Sequence, residues 1–497
     1  MSNTALVRRR EAAYPAPPFD PPCIYPELRR LGLTATDPNN TVYPMVRRCL
    51  ELLDLDRAGR GSAQWNPLGD LVGPDSRVVV KPNFVQHENY GGGGLDHLVT
   101  HPAVLRPLLD YLWLARGGLE GVHVVDAPEI NCRFDLVLER LGWAALTELY
   151  AAAGQRLDVL DIRPEWADYR HGAAIVERHR LPGDPRGFVD IDLGTASALV
   201  PIAGRASFYG ADYDRRHTNE AHTASVNRYR VSRTFLEADL VVSVPKLKTH
   251  KKAGITCSLK NLVGINGDKN LLPHYTIGDT LVGGCEYSTA PRSWIVQLHR
   301  KLDRIYRDRL LATRSRLAGQ LYNRFEPLRD RFLGRLDADG QMKGDWWGND
   351  VVWRMILDLY RILRCAAPGG ELAGEPLRRQ LAIVDAVVVG EGEGPHLATP
   401  HRLGAVIAGL DAVAVDTLGA ALLGFDPRQI PQLVEGARCF SPSARIGGAA
   451  TVTLDTEAGT SVRALESFLG SAPTVMPPAG WLGHVEWSDA APALQRT

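Results

Sequence analysis

The residues of this chain best suited to chemistry sit in one short stretch. It reads Pro245-Lys246-Leu247-Lys248-Thr249-His250-Lys251-Lys252 and is followed by Lys260-Asn261 and Gly264. An ammonium group is a compact point charge that pairs with a phosphate or carboxylate oxygen. Its pKa moves readily on burial, so a set of lysines can hold an anion while one of them moves a proton. Lys246 and Lys248 are two positions apart, which in an extended chain points both side chains to one side. Ser258 to Asn261 is expected to open into a turn, with glycines at Gly264 and Gly267. Backbone N–H groups freed by glycine add to the positive field around an anion. The G-x-x-x-x-G-K-[ST] pattern of a Walker A loop is absent.

The distribution of lysine sharpens this reading. Of the 57 basic residues, 9 are lysine and 48 are arginine, and six of the nine lysines fall between Lys246 and Lys269. Another is Lys81. In so arginine-rich a chain, a retained lysine marks a place where a planar guanidinium does not serve.

Further polar residues stand where apolar runs stop. Lys81 and Asn83 follow RVVV, Asp126 follows GVHVV, Glu391, Gly392 and Gly394 follow IVDAVVVG, and Asp411 follows AVIAGL. In open α/β sheets, ligands bind outside the carboxyl ends of strands. These residues are therefore expected to share one site. Lys246, Lys248 and Lys260 would bind an anion, with Asn83, Asn261, Glu391, Gly392 and Gly394 completing the binding surface. Lys81 or His250 would transfer a proton, and Asp126 would orient them. Asp126, Asp385, Glu391 and Asp411, with Asp416, are oxygen ligands available to a divalent ion such as Mg²⁺ or Mn²⁺. No H-E-x-x-H or other tight histidine spacing occurs.

Such residues need a scaffold. Short β-branched runs at 77–82, 121–126, 156–162 and 237–244 alternate with helical patterns, among them one after Thr100, the expected N-cap, with Leu105, Leu108, Leu109 and Leu112 on its buried face. The fold class this predicts is α/β, with a mostly parallel sheet or sheets built from βαβ units and a helical insertion. Residues 1–75 read as a partly helical N-terminal extension packed on the main body. Residues 76–290 read as the first part of the α/β core, and 163–238 within them as loops and short strands over the site. Residues 291–365 read as a helical insertion, and 366–497 as the C-terminal part of the core. Within the insertion, residues 291–345 hold 13 basic and 7 acidic residues. Trp294, Ile295, Leu298, Leu302, Ile305, Tyr306 and Leu310 recur there at helical spacing, and the segment is expected to be a peripheral cap.

Composition narrows the function classes. Lys+Arg and Asp+Glu are both 57, so the formal net charge is zero and a basic field for nucleic acid is excluded as the main theme. No apolar run reaches the roughly 18 residues of a membrane span. The opening MSNTALVRRREAAYPAPP has no apolar stretch behind its arginines, and the expected compartment is the cytoplasm. The 7 cysteines are scattered, with no C-x-x-C. Neither a disulfide framework nor a self-contained iron–sulfur cluster is expected.

The stretches VVVKPNF, THPAVLRPLLDYL, GVHVVDAP, EADLVVSVPKLKTH, LKNLVGING, AIVDAVVVGEGEGP and AGLDAVAVDTLGAALLGFDP resemble the family catalogued as domain of unknown function 362. The VPKLKTH and LKNLVG pair is the most specific part. Relatives in this family often carry a ferredoxin-like iron–sulfur module, whose cysteines this chain lacks. The resemblance implies a fold and a site location rather than a reaction. The leading expectation is an enzyme acting on a small carboxylate- or phosphate-bearing metabolite. The alternatives are a non-catalytic binding or partner protein in metal or electron delivery, and a peripheral membrane-surface component using residues 291–345.

Overall fold

The computed structural model describes residues 3–168, 177–204, 207–212, 214–311, 343–472 and 475–488, with isolated positions between 315 and 324. Among these residues the β-branched runs meet in one 11-stranded sheet. Its spatial order is Gly459–Ala464, Thr451–Thr456, Asn3–Arg8, Leu397–Gly409, Arg379–Glu393, Leu240–Val244, Val78–Pro82, Val122–Asp126 and Asp158–Asp161. The strands Lys246–His250 and Gly254–Thr256 branch from Arg379–Glu393.

The fold is therefore α/β with a large, mostly parallel central sheet, as expected, which also contains antiparallel strands. Arg379–Glu393, Leu240–Val244, Val78–Pro82, Val122–Asp126 and Asp158–Asp161 pair in parallel. Leu397–Gly409 runs antiparallel to both Arg379–Glu393 and Asn3–Arg8, and Gly459–Ala464 runs antiparallel to Thr451–Thr456. The antiparallel half arises because Arg379–Glu393 and Leu397–Gly409 form a long hairpin across a three-residue connection, too short for a crossover.

Residues 1–75 do more than pack on the outside. Asn3–Arg8 is an internal strand, pairing with Leu397–Gly409 on one side and Thr451–Thr456 on the other. The helix Val42–Leu52 then buries Val42, Met45, Val46, Cys49 and Leu50.

Strand alternation divides the core in two. Val78, Val80, Val122, Val124, Leu240, Val242 and Val244 pack in one apolar cluster, while Val79, Val125 and Val241 pack in another on the opposite face. The helix Pro102–Arg116 covers the first face. Its N-cap is His101, one residue later than expected, with Nδ1 accepting from Ala103 N at 3.1 Å. Thr100 instead donates its hydroxyl to Val244 O at 2.5 Å. The helices Val352–Cys365 and Ala412–Leu422 cover the second face. Val352–Cys365 thus belongs to the core, although the sequence pattern groups it with the insertion. Most of 312–342 lies outside the described residues, as does the side chain of Leu310. No helix among the described residues is long and apolar enough to cross a membrane.

Candidate functional site

Val78–Pro82 and Val122–Asp126 are neighbouring parallel strands, so their carboxyl ends lie side by side. Lys81 sits one residue before the end of the first strand and Asp126 ends the second. Lys81 Nζ lies 2.6 Å from Asp126 Oδ1, and both side chains are buried. Lys81 Nζ also donates to Pro82 O at 2.7 Å and to Asn261 Oδ1 at 3.1 Å. Asp126 Oδ2 accepts from Phe84 N at 2.7 Å. Asn261 returns a bond from Nδ2 to Lys81 O at 2.9 Å. Residues 258–261, expected to be a turn, form a short helix that places Lys260 and Asn261 against these strand ends. The chain then approaches closely at Gly264, where a Cβ would stand 2.3 Å from Asp126 Oδ1 and 2.7 Å from Lys81 Nζ.

Lys246 and Lys248 do not share a site. The register against Arg379–Glu393 shifts between them, with Lys246 opposite Asp385 and Lys248 opposite Gly390. Lys246 Nζ is fully buried, 2.6 Å from Asp385 Oδ2 and 2.6 Å from the Tyr14 hydroxyl oxygen. Tyr14 in turn donates to Asp385 Oδ1 at 2.5 Å and stacks on His101 with centroids 3.9 Å apart. This ammonium is consumed in fastening the N-terminal segment. Among the described residues Lys248 Nζ donates only to a backbone carbonyl, Leu98 O, at 2.5 Å, and it faces a cavity.

That cavity has a volume of about 1050 Å³. Of the residues expected from sequence, Lys81, Asn83, Asp126, Lys248, His250, Lys260 and Asn261 line it. Lys246, Glu391, Gly392, Gly394, Asp385 and Asp411 do not. Glu391 accepts from Met476 N at 2.9 Å, and Asp411 caps the helix Ala412–Leu422. The glycines serve the strand beneath the site. Thr249 donates its hydroxyl to Gly392 O at 2.8 Å, and a Cβ at Gly394 would stand 2.1 Å from Thr249 O. The four candidate metal carboxylates are thus dispersed. Among the described residues no three His, Cys, Asp or Glu side chains gather as a metal site.

The cavity also contains residues the sequence reading did not assign: Lys251, Lys252, Lys269, Lys343, Glu129, His274, His396 and Arg307. Seven of the nine lysines of the chain therefore line one cavity. Of the unassigned residues, Lys251, Lys252 and Lys269 had a signal in the lysine-rich stretch, and Lys343 lies outside it. Glu129 and His396 had none, because the contact that pairs them at 2.6 Å spans 267 residues.

Burial opposes these charges. It pushes Lys260 and Lys269 down to about 8, and lowers Lys81 and Lys252 despite carboxylates close by. Lys248 is held well below the ordinary lysine range by burial, with Lys260 and Lys246 adding repulsion. Lys251 and Lys252 share Asp345 at 2.8 and 2.5 Å, and Lys269 Nζ donates to Ala127 O at 2.9 Å. The Lys260 ammonium makes no hydrogen bond or ion pair with any described residue, and the Glu129 carboxylate acts on it through space. Glu129 is half-buried, and His396, Lys260 and Lys269 outweigh the desolvation and hold its carboxyl below the usual range.

Two histidines in the cavity have opposite proton placements. The backbone N of Lys252 donates to His250 Nδ1 at 3.1 Å, so that nitrogen is an acceptor and the neutral ring carries its proton on Nε2. His274 Nδ1 lies 2.8 Å from Leu272 O, which can only accept, so the proton is on Nδ1 and Nε2 keeps a lone pair. Burial and the surrounding lysines hold His250 well below its ordinary range and His274 at about 3, so both rings are neutral near pH 7.

Among curated proteins, none matches this chain. The family model described as "Domain of unknown function (DUF362)" matches residues 193–421, which contain the lysine-bearing strand, Lys260, Lys269 and His274. Over these residues, somewhat under half of the chain, it is similar to the DUF362 family.

Proposed function

We propose that the protein is an enzyme acting on a small anionic metabolite, carboxylate- or phosphate-bearing, bound in the lysine-lined cavity. The observation that carries this reading is the gathering of seven of the nine lysines around one cavity, where the Lys260 ammonium makes no hydrogen bond or ion pair among the described residues. Cations held together in a partly buried space repel one another and lose hydration, a cost that a bound anion offsets. Lys248, Lys260 and Lys269 bind the anion as point charges. The Lys81–Asp126 pair, tied to Asn261, fixes the floor of the site. His250, with its proton on Nε2, donates a hydrogen bond to the ligand, and His274, with a free Nε2, accepts one. Lys246, with Asp385, holds the scaffold and takes no part.

Thermal unfolding of the full chain with inorganic phosphate, pyrophosphate or citrate tests the binding step. A ligand that binds only the native state raises the midpoint. The expected result is an upward shift for at least one of these anions that is lost in Lys260→Ala. No shift with any of them, or an equal shift in the variant, would overturn the site. Catalysis is separated from carriage by incubating the wild type with a pool of anionic metabolites. Depletion of one compound that slows in His274→Gln supports an enzyme, whereas tight binding with no turnover would make the protein a carrier.

A further inference from the structure

The helix Trp294–Tyr306 is mounted with its polar face inward. Its inner arc carries Arg300 and, past the helix end, Arg307, both buried. Arg307 Nη2 lies 2.5 Å from Glu286 Oε1, Arg307 Nη1 donates to the Tyr275 hydroxyl at 2.9 Å, and Arg300 donates to Thr289 O at 2.8 Å. The outer arc is apolar. Trp294, Ile295, Leu298, Leu302 and Ile305 are exposed by 72%, 41%, 45%, 55% and 44%. At 100° per residue these five positions fall within roughly one hundred degrees of arc, so they form a continuous stripe. An ordinary surface helix shows water the opposite face. Leu281 and Val282, exposed by 80% and 75%, stand on a separate loop whose Asp279 lies 4.0 Å from Arg300 of the inner arc.

The charges around the stripe indicate what covers it. Lys301 on this arc and Arg309 just past the helix end are exposed cations. The nearby acids are turned away: Asp303 pairs with Arg307 at 2.9 Å and Asp308 with Arg215 at 2.7 Å. Large aliphatic side chains with a tryptophan at one end and flanking basic residues match the boundary between headgroups and acyl chains of an anionic bilayer.

We propose that the outer face of the helix Trp294–Tyr306 docks the protein on an anionic lipid surface. The helix lies in the plane of the interface, with its aliphatic side chains in the acyl boundary and Lys301 and Arg309 among the phosphates. Arg307 of the same segment lines the lysine-rich cavity, so docking brings one wall of that cavity to the membrane.

The test is flotation of the full chain with vesicles of phosphatidylcholine and phosphatidylglycerol against vesicles of phosphatidylcholine alone. The expected result is binding to the anionic vesicles that weakens with added salt, and much weaker binding to the neutral ones. The triple variant Ile295→Ser, Leu298→Ser, Leu302→Ser should lower binding by about a hundredfold, because the buried apolar area is lost. Lys301→Glu, at an exposed position, should weaken binding at low salt more than at high salt. Wild-type protein that fails to float with anionic vesicles would overturn the proposal. So would a concentration-dependent dimer that the triple variant abolishes, since the stripe would then belong to a second copy of the chain.

Discussion

Lys81 Nζ stands 2.6 Å from Asp126 Oδ1, and the two residues end adjacent parallel strands with their side chains buried beneath Gly264. The pair joins fold and site, because its geometry is set by strand register and it lines the cavity. Removing one partner leaves a buried charge without compensation. Asp126→Ala is therefore expected to destabilise the protein by about 3–5 kcal/mol in urea unfolding. Gly264→Ala should also destabilise, because its methyl group needs the space the ion pair occupies. A change of a few tenths of a kcal/mol in both variants would contradict this account of the pair.

Lys246 and Lys260 should behave oppositely under substitution. Lys246 is fully buried against Asp385, so Lys246→Ala is expected to cost about 3–5 kcal/mol of stability. The Lys260 ammonium makes no hydrogen bond or ion pair among the described residues, and Lys260→Ala should change stability of the unliganded protein by only about 0.5 kcal/mol or raise it. The midpoint shift produced by an anion should vanish in the Lys260 variant. Denaturant titrations of both variants, with and without pyrophosphate, separate a structural lysine from a binding one.

Anion binding should weaken on the alkaline side. Lys260 and Lys269 have their pKa lowered by burial to about 8, so both lose charge as pH rises through 8. A bound anion favours the charged form and raises these values, so binding takes up protons near and above pH 8. The midpoint shift with pyrophosphate is expected to be larger at pH 7 than at pH 9.5. Isothermal titration in buffers of different ionisation enthalpy should record the proton uptake directly. An affinity that is flat from pH 7 to 9.5 would remove these lysines from the site.

Two buried carboxylates away from the cavity set a second pH dependence. Asp416 accepts from Ser258 N and Leu259 N at 2.7 and 2.9 Å, yet burial pushes its pKa up to about 7. Asp358, bonded to Ser197, Ala198 and Tyr229, is pushed up to about 6 by burial. A carboxyl raised above its unfolded value contributes stability that is fully present below about pH 3.8 and is lost as pH rises through the folded value. Asp416→Asn should therefore gain on the wild type by about 2 kcal/mol between pH 5 and pH 8. Urea midpoints at the two pH values give the comparison.

Much of this protein is determined by local sequence. The runs RVVVKP, VHVVD and LVVSV are apolar on both faces, and a strand with two greasy faces must be covered on both, which specifies a buried parallel segment between helical layers. Asp411 before an apolar helix, and Lys81 and Asp126 at the ends of strands, follow from the same logic: polar groups stand where the chain leaves the core. The concentration of lysine between 246 and 269 located the cavity wall for the same reason, since a charge that arginine cannot replace marks a particular chemical demand.

What tertiary structure decided is which of these residues meet. Alternation along an ideal strand puts Lys246 and Lys248 on one face. A register shift against Arg379–Glu393 gives Lys246 to Asp385 and leaves Lys248 to the cavity. Asp385 looked like a metal ligand because nothing in its neighbourhood names Tyr14, some 370 residues away, or Lys246 as its partners. The glycines 390–394 looked like a ligand cradle, but Gly390 and Gly394 admit the lysine strand and Gly392 takes a positive φ. Asn3–Arg8 gave no sign of being an internal strand, since its partners come from the far end of the chain. The outward apolar stripe of the Trp294–Tyr306 helix shows the same limit. Periodicity established that the helix has an apolar face, but the buried Glu286, which takes Arg307 inward, decided which way it points. Register shifts and ion pairs between distant segments depend on non-local energies, and these become fixed only when the whole chain is packed.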